Sequence, residues 1–184
     1  MTVTELLEKI RAYYLTRFEE EITEKENSGF KIISEPELFD KNGDIIHQGS
    51  FNSPYRNDLV VVKDGKAIES IMIDTENKLS FNPITINWTE KMEVTIHPFQ
   101  WNFLSIETFQ NIDNFQILED WFNGAFNEKP NQSRFKNAVH FISDPYNDGT
   151  NTKIDIDLGS GLVDDFYNLL DALEKTGLNK IEIK

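Results

Sequence analysis

Asp155 and Asp157 stand two residues apart in Ile154-Asp155-Ile156-Asp157-Leu158, and on a strand that spacing projects both carboxylates from one face. Paired carboxylates can hold a divalent ion, or raise one pKa into the range useful for acid–base work. With His140, which lies inside an apolar run, they make the ligand set of a divalent-metal-dependent hydrolase. The competing reading is the wet face of a strand whose Ile154, Ile156 and Leu158 point inward. His47, His97 and His140 do not cluster, and no H-E-x-x-H spacing occurs. Ser160, His140 and Asp155 could be assembled into a triplet for nucleophilic attack, yet the G-x-S-x-G elbow is missing. Asp157-Leu158-Gly159-Ser160-Gly161 is a glycine-rich junction of the kind that cradles phosphate with backbone N–H groups. Asp164 and Asp165 just beyond it would repel a phosphate, and Ser160 is expected to act as a helix N-cap instead. Asp144, Asp148, Gly149 and Asp155 mimic the first, fifth, sixth and twelfth positions of a calcium loop. Tyr146 takes the third position, where an oxygen ligand is needed, and a strand follows where a helix should. The chain has no cysteine, which excludes disulfides, thiolate metal sites and a cysteine nucleophile. These readings assign no catalytic residue, metal or cofactor, and the chain is expected not to be an enzyme.

The elements that must position these groups follow from periodicity. Leu6, Ile10, Tyr14, Phe18 and Ile22 recur every four residues, with Leu7 widening the stripe, so a long helix is expected to open the chain. Thr2 and Glu5 have capping-box spacing, and Asn27-Ser28-Gly29 stops the helix. From residue 30 to 109 the pattern is β. Asn42-Gly43 and Asp64-Gly65 are two-residue hairpin signals, because both central positions of such a turn need positive φ. Residues 79–88 and 92–97 alternate with period two, as in a sheet with one covered face. Pro98 ends that ladder, and Phe99, Trp101 and Phe103 extend an aromatic stripe that could line a ligand pocket. A second helix is expected over residues 113–127, with Asp113 and Gln116 as its capping pair. Residues 137–143 and 152–158 read as paired strands, residues 161–176 as a third helix closed by Gly177, and residues 178–183 as a last strand. The order predicts one α+β domain over residues 1–184, a mainly antiparallel sheet with the N-terminal helix and two further helices packed against it.

Acids number 32 against 18 bases, a net charge of −14. Such a balance argues against nucleic acid, whose phosphates need a basic surface. No apolar run is long enough to span a membrane. The N-terminus lacks the basic patch and apolar stretch of a secretory signal, so a cytoplasmic location is expected. The acid excess is uneven. Residues 104–128 hold Glu107, Asp113, Glu119, Asp120 and Glu128 with no base, residues 144–184 are also strongly acidic, and Lys129, Arg134 and Lys136 lie between. A surface of this kind speeds encounter with a cationic partner; solubility is the competing explanation.

The C-terminal part carries a further pattern. A helix bearing Trp121, Phe122 and Phe126 precedes Val139-His140, then Asp155-Ile156-Asp157-Leu158-Gly159-Ser160, then Leu169-Leu170-Asp171-Ala172-Leu173, then Gly177 and Ile181-Glu182-Ile183. Over residues 113–184 this resembles the D-L-G-S-containing tail of small bacterial immunity-type proteins from toxin–immunity systems. Gly161-Leu162 stands where that tail usually has an Ala-Pro pair. The resemblance implies a non-enzymatic cytoplasmic protein that neutralises a cognate toxin by occlusion. Glu119, Asp120, Asp155, Asp157, Asp164 and Asp165 are then the contacts expected to meet Lys or Arg of a cationic toxin domain, around a few aromatic anchors. The alternatives are the hydrolase built on Asp155, Asp157 and His140, and a small-ligand or structural module.

Overall fold

In the computed structural model the every-fourth-residue stripe becomes helix α1 (Val3–Asn27), which buries Leu6, Leu7, Ile10, Tyr14, Phe18 and Ile22. Its capping box closes in both directions, Glu5 N–H donating to Thr2 Oγ1 and Thr2 N–H to Glu5 Oε2. Residues 1–184 are described apart from Lys41, 49–52, 76–78, Asp113 and 130–132. The expected Asp113–Gln116 capping pair therefore lies outside the described residues.

A small antiparallel sheet follows, ordered β1-β4-β5, from β1 (Lys31–Ser34), β4 (Leu59–Lys63) and β5 (Lys66–Ile71). Between β1 and β4 come the short pair β2 (His47–Gln48) and β3 (Ser53–Pro54). Asp64 and Gly65, with φ of 51° and 76°, turn β4 into β5 as an Asp-Gly hairpin should. Asn42-Gly43 behaves differently. Only Gly43 has positive φ there, and one isolated bridge, Phe39 to Ile45, replaces the expected strands. The Asp40 carboxylate takes the N–H groups of Asn42 and Asp44 at 2.7 and 3.0 Å, a local alternative to a ladder.

The larger sheet holds β6 (Ile84–Asn87), β7 (Glu93–Ile96), β8 (Leu104–Thr108), β9 (Phe141–Ile142), β10 (Tyr146–Asn147), β11 (Thr152–Asp157) and β12 (Lys180–Ile183). Its order is β10-β11-β8-β12-β7-β6, with β9 also on β11, and every pairing is antiparallel except β12 with β7. Helix α2 (Gln116–Phe126) precedes β9, and α3 (Val163–Lys175) carries the chain from β11 to β12. Those two strands flank β8 and run parallel to each other. Helix α3 touches both α1 and α2, and one apolar cluster runs from Leu6 to Ile183. The architecture is α+β with a mostly antiparallel sheet.

Two local expectations change. Helix α3 starts at Val163 with Leu162 as its N-cap, not with Ser160, because Asp165 reaches back to accept the Leu162 N–H at 2.8 Å. The aromatic stripe also divides. Phe99 and Trp101 are buried and stack on Phe166 with centroids 6.0 and 6.3 Å away, whereas Phe103 is 57% exposed.

Candidate functional site

Two ladders end against each other, and the residues just past their ends form the most unusual chemistry of the chain. In the β1–β4 ladder Ser34 pairs with Leu59, so the next residues out are Glu35 and Asp58, joined by the Glu35 N–H to the Asp58 carbonyl at 2.8 Å. In the β9–β11 ladder Phe141 pairs with Asp157, and His140 N–H donates to the Asp157 carbonyl at 2.9 Å. Arg56 N–H then donates to the His140 carbonyl at 3.1 Å and locks one ladder end to the other. Inside this junction His140 Nε2 lies 2.7 Å from Glu35 Oε1, and its Nδ1 lies 3.1 Å from Asp58 Oδ1 and 3.8 Å from Asp157 Oδ2. His140, Glu35 and Asp58 are fully buried.

Each carboxylate has further donors. Tyr14 of α1 donates to Asp58 Oδ1 at 2.6 Å, and Ile73 N–H to Asp58 Oδ2 at 2.6 Å. Glu35 accepts from the Ser160 hydroxyl and from Lys136 N–H, and Asp157 accepts from Gly159 N–H at 2.8 Å. Glu35 holds a left-handed φ of 50°. Gly159, at φ 51°, is needed for space as well, since a Cβ there would sit 2.2 Å from the His140 ring. Ser160, expected as a cap, is instead part of this junction, accepting from Ala138 N–H at 3.2 Å while donating to Glu35. Arg11 of α1 seals the outside, donating to the carbonyls of Gly161 at 2.7 Å and Ser160 at 2.9 Å.

The electrostatics follow from one imidazole facing three carboxylates in a dry environment. Burial opposes the His140 charge, but Asp157, Asp58 and Glu35 outweigh it and raise the pKa to about 10. Burial pushes Asp157 up to about 7 against the pull of His140, with Asp58 and Glu35 adding to the rise. Glu35 moves the other way: burial would raise it, yet bonds from His140, Ser160 and Lys136 N–H hold it below the usual carboxylate range. Burial and Asp58 push the Tyr14 phenol well up. Among the described residues, Asp58, His140 and Asp157 form the group whose ligand atoms all lie within 4.8 Å of one another.

The sequence expectation paired His140 and Asp157 with Asp155; the structure brings the first two together and leaves Asp155 outside the group. Asp155 does share a face of β11 with Asp157. Its carboxylate accepts from Tyr146 Oη at 3.0 Å, and both acids line a cleft of about 240 Å³ with Tyr55, Met72, Phe103 and Phe141. A larger groove of about 890 Å³ lies along α1, between Leu15, Glu19, Thr23 and Phe135. The supposed calcium loop is a tight turn: Asp148 accepts from Thr150 and Asn151 N–H and pairs with Lys153 at 3.0 Å. His97 stands apart, 3.4 Å from Glu182. Of the acids expected on a contact surface, Asp120 and Asp164 are exposed and Glu119 and Asp155 half-buried. Asp157 and Asp165 are each only 5% exposed and are engaged within the chain, Asp165 by Leu162 N–H and by Lys129.

Glu35 and Asp58 escaped the sequence reading, and Tyr14 entered it only as part of the apolar stripe of α1. A signal exists for Asp58, a charge set directly against the apolar run Leu59-Val60-Val61-Val62, just as His140 interrupts Ala138-Val139 and Phe141-Ile142. Charges in such positions are buried only when partnered. No family model, curated protein or solved structure matches the chain, so its role has to be read from its own side chains.

Proposed function

We propose that the chain is a binding protein that engages a cationic protein partner through an acidic surface, as an immunity protein occluding a basic toxin domain would. The observation that carries this reading is how the cations are spent. Lys129 pairs with Asp165, Arg134 with Glu19 and Glu26 of α1, and Lys136 with Glu128, so the basic interruption between the two acidic segments is paired within the chain. Glu119, Asp120 and Asp164 have no cation partner among the described residues. Trp121 Nε1 donates to the Asp165 carbonyl at 3.0 Å and ties the middle of α2 to the first turn of α3, which bear these acids. The reactive-looking groups around His140 are meanwhile enclosed, which favours recognition over turnover as the work of the surface.

Co-expression with the product of the adjacent gene tests the proposal. Growth rescue and a stable complex are expected, with association slowed by salt. The combined reversal Glu119→Lys, Asp120→Lys and Asp164→Lys should abolish rescue. A pair that neither binds nor rescues overturns the reading, and so does a complex indifferent to salt and to the reversals.

A further inference from the structure

We propose that Asp58 Oδ1, His140 Nδ1 and Asp157 Oδ2 form a binding site for one divalent transition-metal cation, zinc above all, at the junction of the two ladders. The first observation is His140 Nδ1 itself. It is fully buried, has two carboxylate oxygens at 3.1 and 3.8 Å, and still makes no hydrogen bond of acceptable geometry to either. In the tautomer that carries its proton on Nε2, Nδ1 offers a lone pair to the group it forms with Asp58 and Asp157. Tetrahedral zinc with ligands at about 2.0–2.2 Å sets its donors about 3.3–3.6 Å apart, a range that the two observed separations bracket.

The surroundings have the form of a metal site's outer shell. A ligating histidine almost always gives its other ring N–H to a carboxylate, a backbone carbonyl or water, which fixes the tautomer and aims the free nitrogen. Glu35 does this here at 2.7 Å from Nε2. The two carboxylate ligands are themselves oriented, Asp58 by Tyr14 and Ile73 N–H, Asp157 by Gly159 N–H. Charge points the same way. Glu35, Asp58 and Asp157 bring three carboxyl groups into a buried junction where the imidazole supplies at most one positive charge, and a divalent ion can be matched by more of them. A mixed imidazole and carboxylate set suits zinc or manganese, and it lacks the all-oxygen octahedron that magnesium requires. Entry is through the 240 Å³ cleft, whose lining includes Asp157 and Asp155. The role is structural: the ion would join β1–β4 to β9–β11 where Arg56 already does so through the backbone.

The test uses the full chain stripped with a chelator and titrated with Zn²⁺, Mn²⁺ or Mg²⁺ by calorimetry, with the thermal midpoint followed in parallel. One zinc per chain and a raised midpoint are expected, with manganese weaker and magnesium without effect. Asp157→Asn keeps an oxygen for the Gly159 N–H and should fold, yet bind zinc at least about 100-fold more weakly; Glu35→Gln should weaken it about 10- to 100-fold. Nitrogen-15 NMR of the wild-type imidazole needs no variant. Zinc should move His140 Nδ1 to a coordinated shift and leave Nε2 protonated. Absence of zinc uptake overturns the site. Uptake undiminished in Asp157→Asn, or saturation with His140 Nδ1 unmoved, would equally do so by placing the ion elsewhere, for instance at His97 and Glu182.

Discussion

Carboxylates crowd a cation at both ends of β11, under opposite conditions. At the end that holds Asp157, three of them surround a His140 that is fully buried. At the other end Glu107 lies 2.8 Å from Lys153 and 2.6 Å from Lys184, with Asp148 and Glu182 also paired to those lysines. The lysines there outnumber no one and exclude nothing: their side chains are 23% and 42% exposed, and water screens what the pairs do not satisfy. Around His140 nothing screens, so each missing partner leaves a desolvated charge. The same residue types thus hold the fold together at one end and decorate it at the other.

Removing the cation separates the two ends most sharply. His140→Leu strands three buried carboxylates and should cost about 3–5 kcal/mol in urea unfolding; a loss below about 1 kcal/mol would mean that the carboxylates are already neutral. The pH response comes next, measured on the metal-free chain. Asp157 is raised to about 7, so it is protonated when folded and ionised when unfolded between about 4 and 7, and stability falls as pH rises through that window. The stability from His140 is complete below its ordinary 6.5 and is lost as pH rises towards about 10. The urea midpoint should therefore decline from pH 5 to pH 9, and a flat or rising profile would contradict the charge states given above. Asp148 works in the opposite sense: backbone N–H donors and Lys153 hold it down to about 2, so its contribution is lost only as pH falls from about 4 towards that value. Gly159→Ala drives a methyl into the His140 ring at a left-handed φ and should cost about 1–3 kcal/mol by the same unfolding assay. Lys153→Met at the wet end should change the midpoint least, and about 0.5 M salt should erase the difference.

What the sequence revealed divides along the same line as the chemistry. Helix α1, helix α3 and the Asp64-Gly65 turn were legible because each is written in neighbours: an apolar stripe, a capping pair, a dipeptide with positive φ. Asp155 and Asp157 were correctly placed on one face of a strand. Their fates then part because Asp157 is the last residue of β11, where another ladder arrives to cover it. Glu35 and Asp58 were invisible as a pair. Among the described residues between them, one two-residue strand pair, isolated bridges and local bonds carry no periodic signal, and their meeting depends on the register of β1 with β4. Ser160 was misjudged for a related reason. A serine before a helix is normally claimed by the helix, and here Glu35, from 125 residues earlier in the chain, claims it instead.

That remoteness has a consequence in time. The bond between His140 and Glu35 spans 105 residues, and Arg11 reaches 150 residues ahead to the Gly161 carbonyl. Closing such distant contacts is slow compared with forming a helix or hairpin. During synthesis α1 emerges with Tyr14 and Arg11 unspent, and Glu35 lacks its His140 partner until 105 further residues have followed. The junction therefore closes only after Ser160 and Gly161 have emerged, and it ties the first helix to the C-terminal part of the fold.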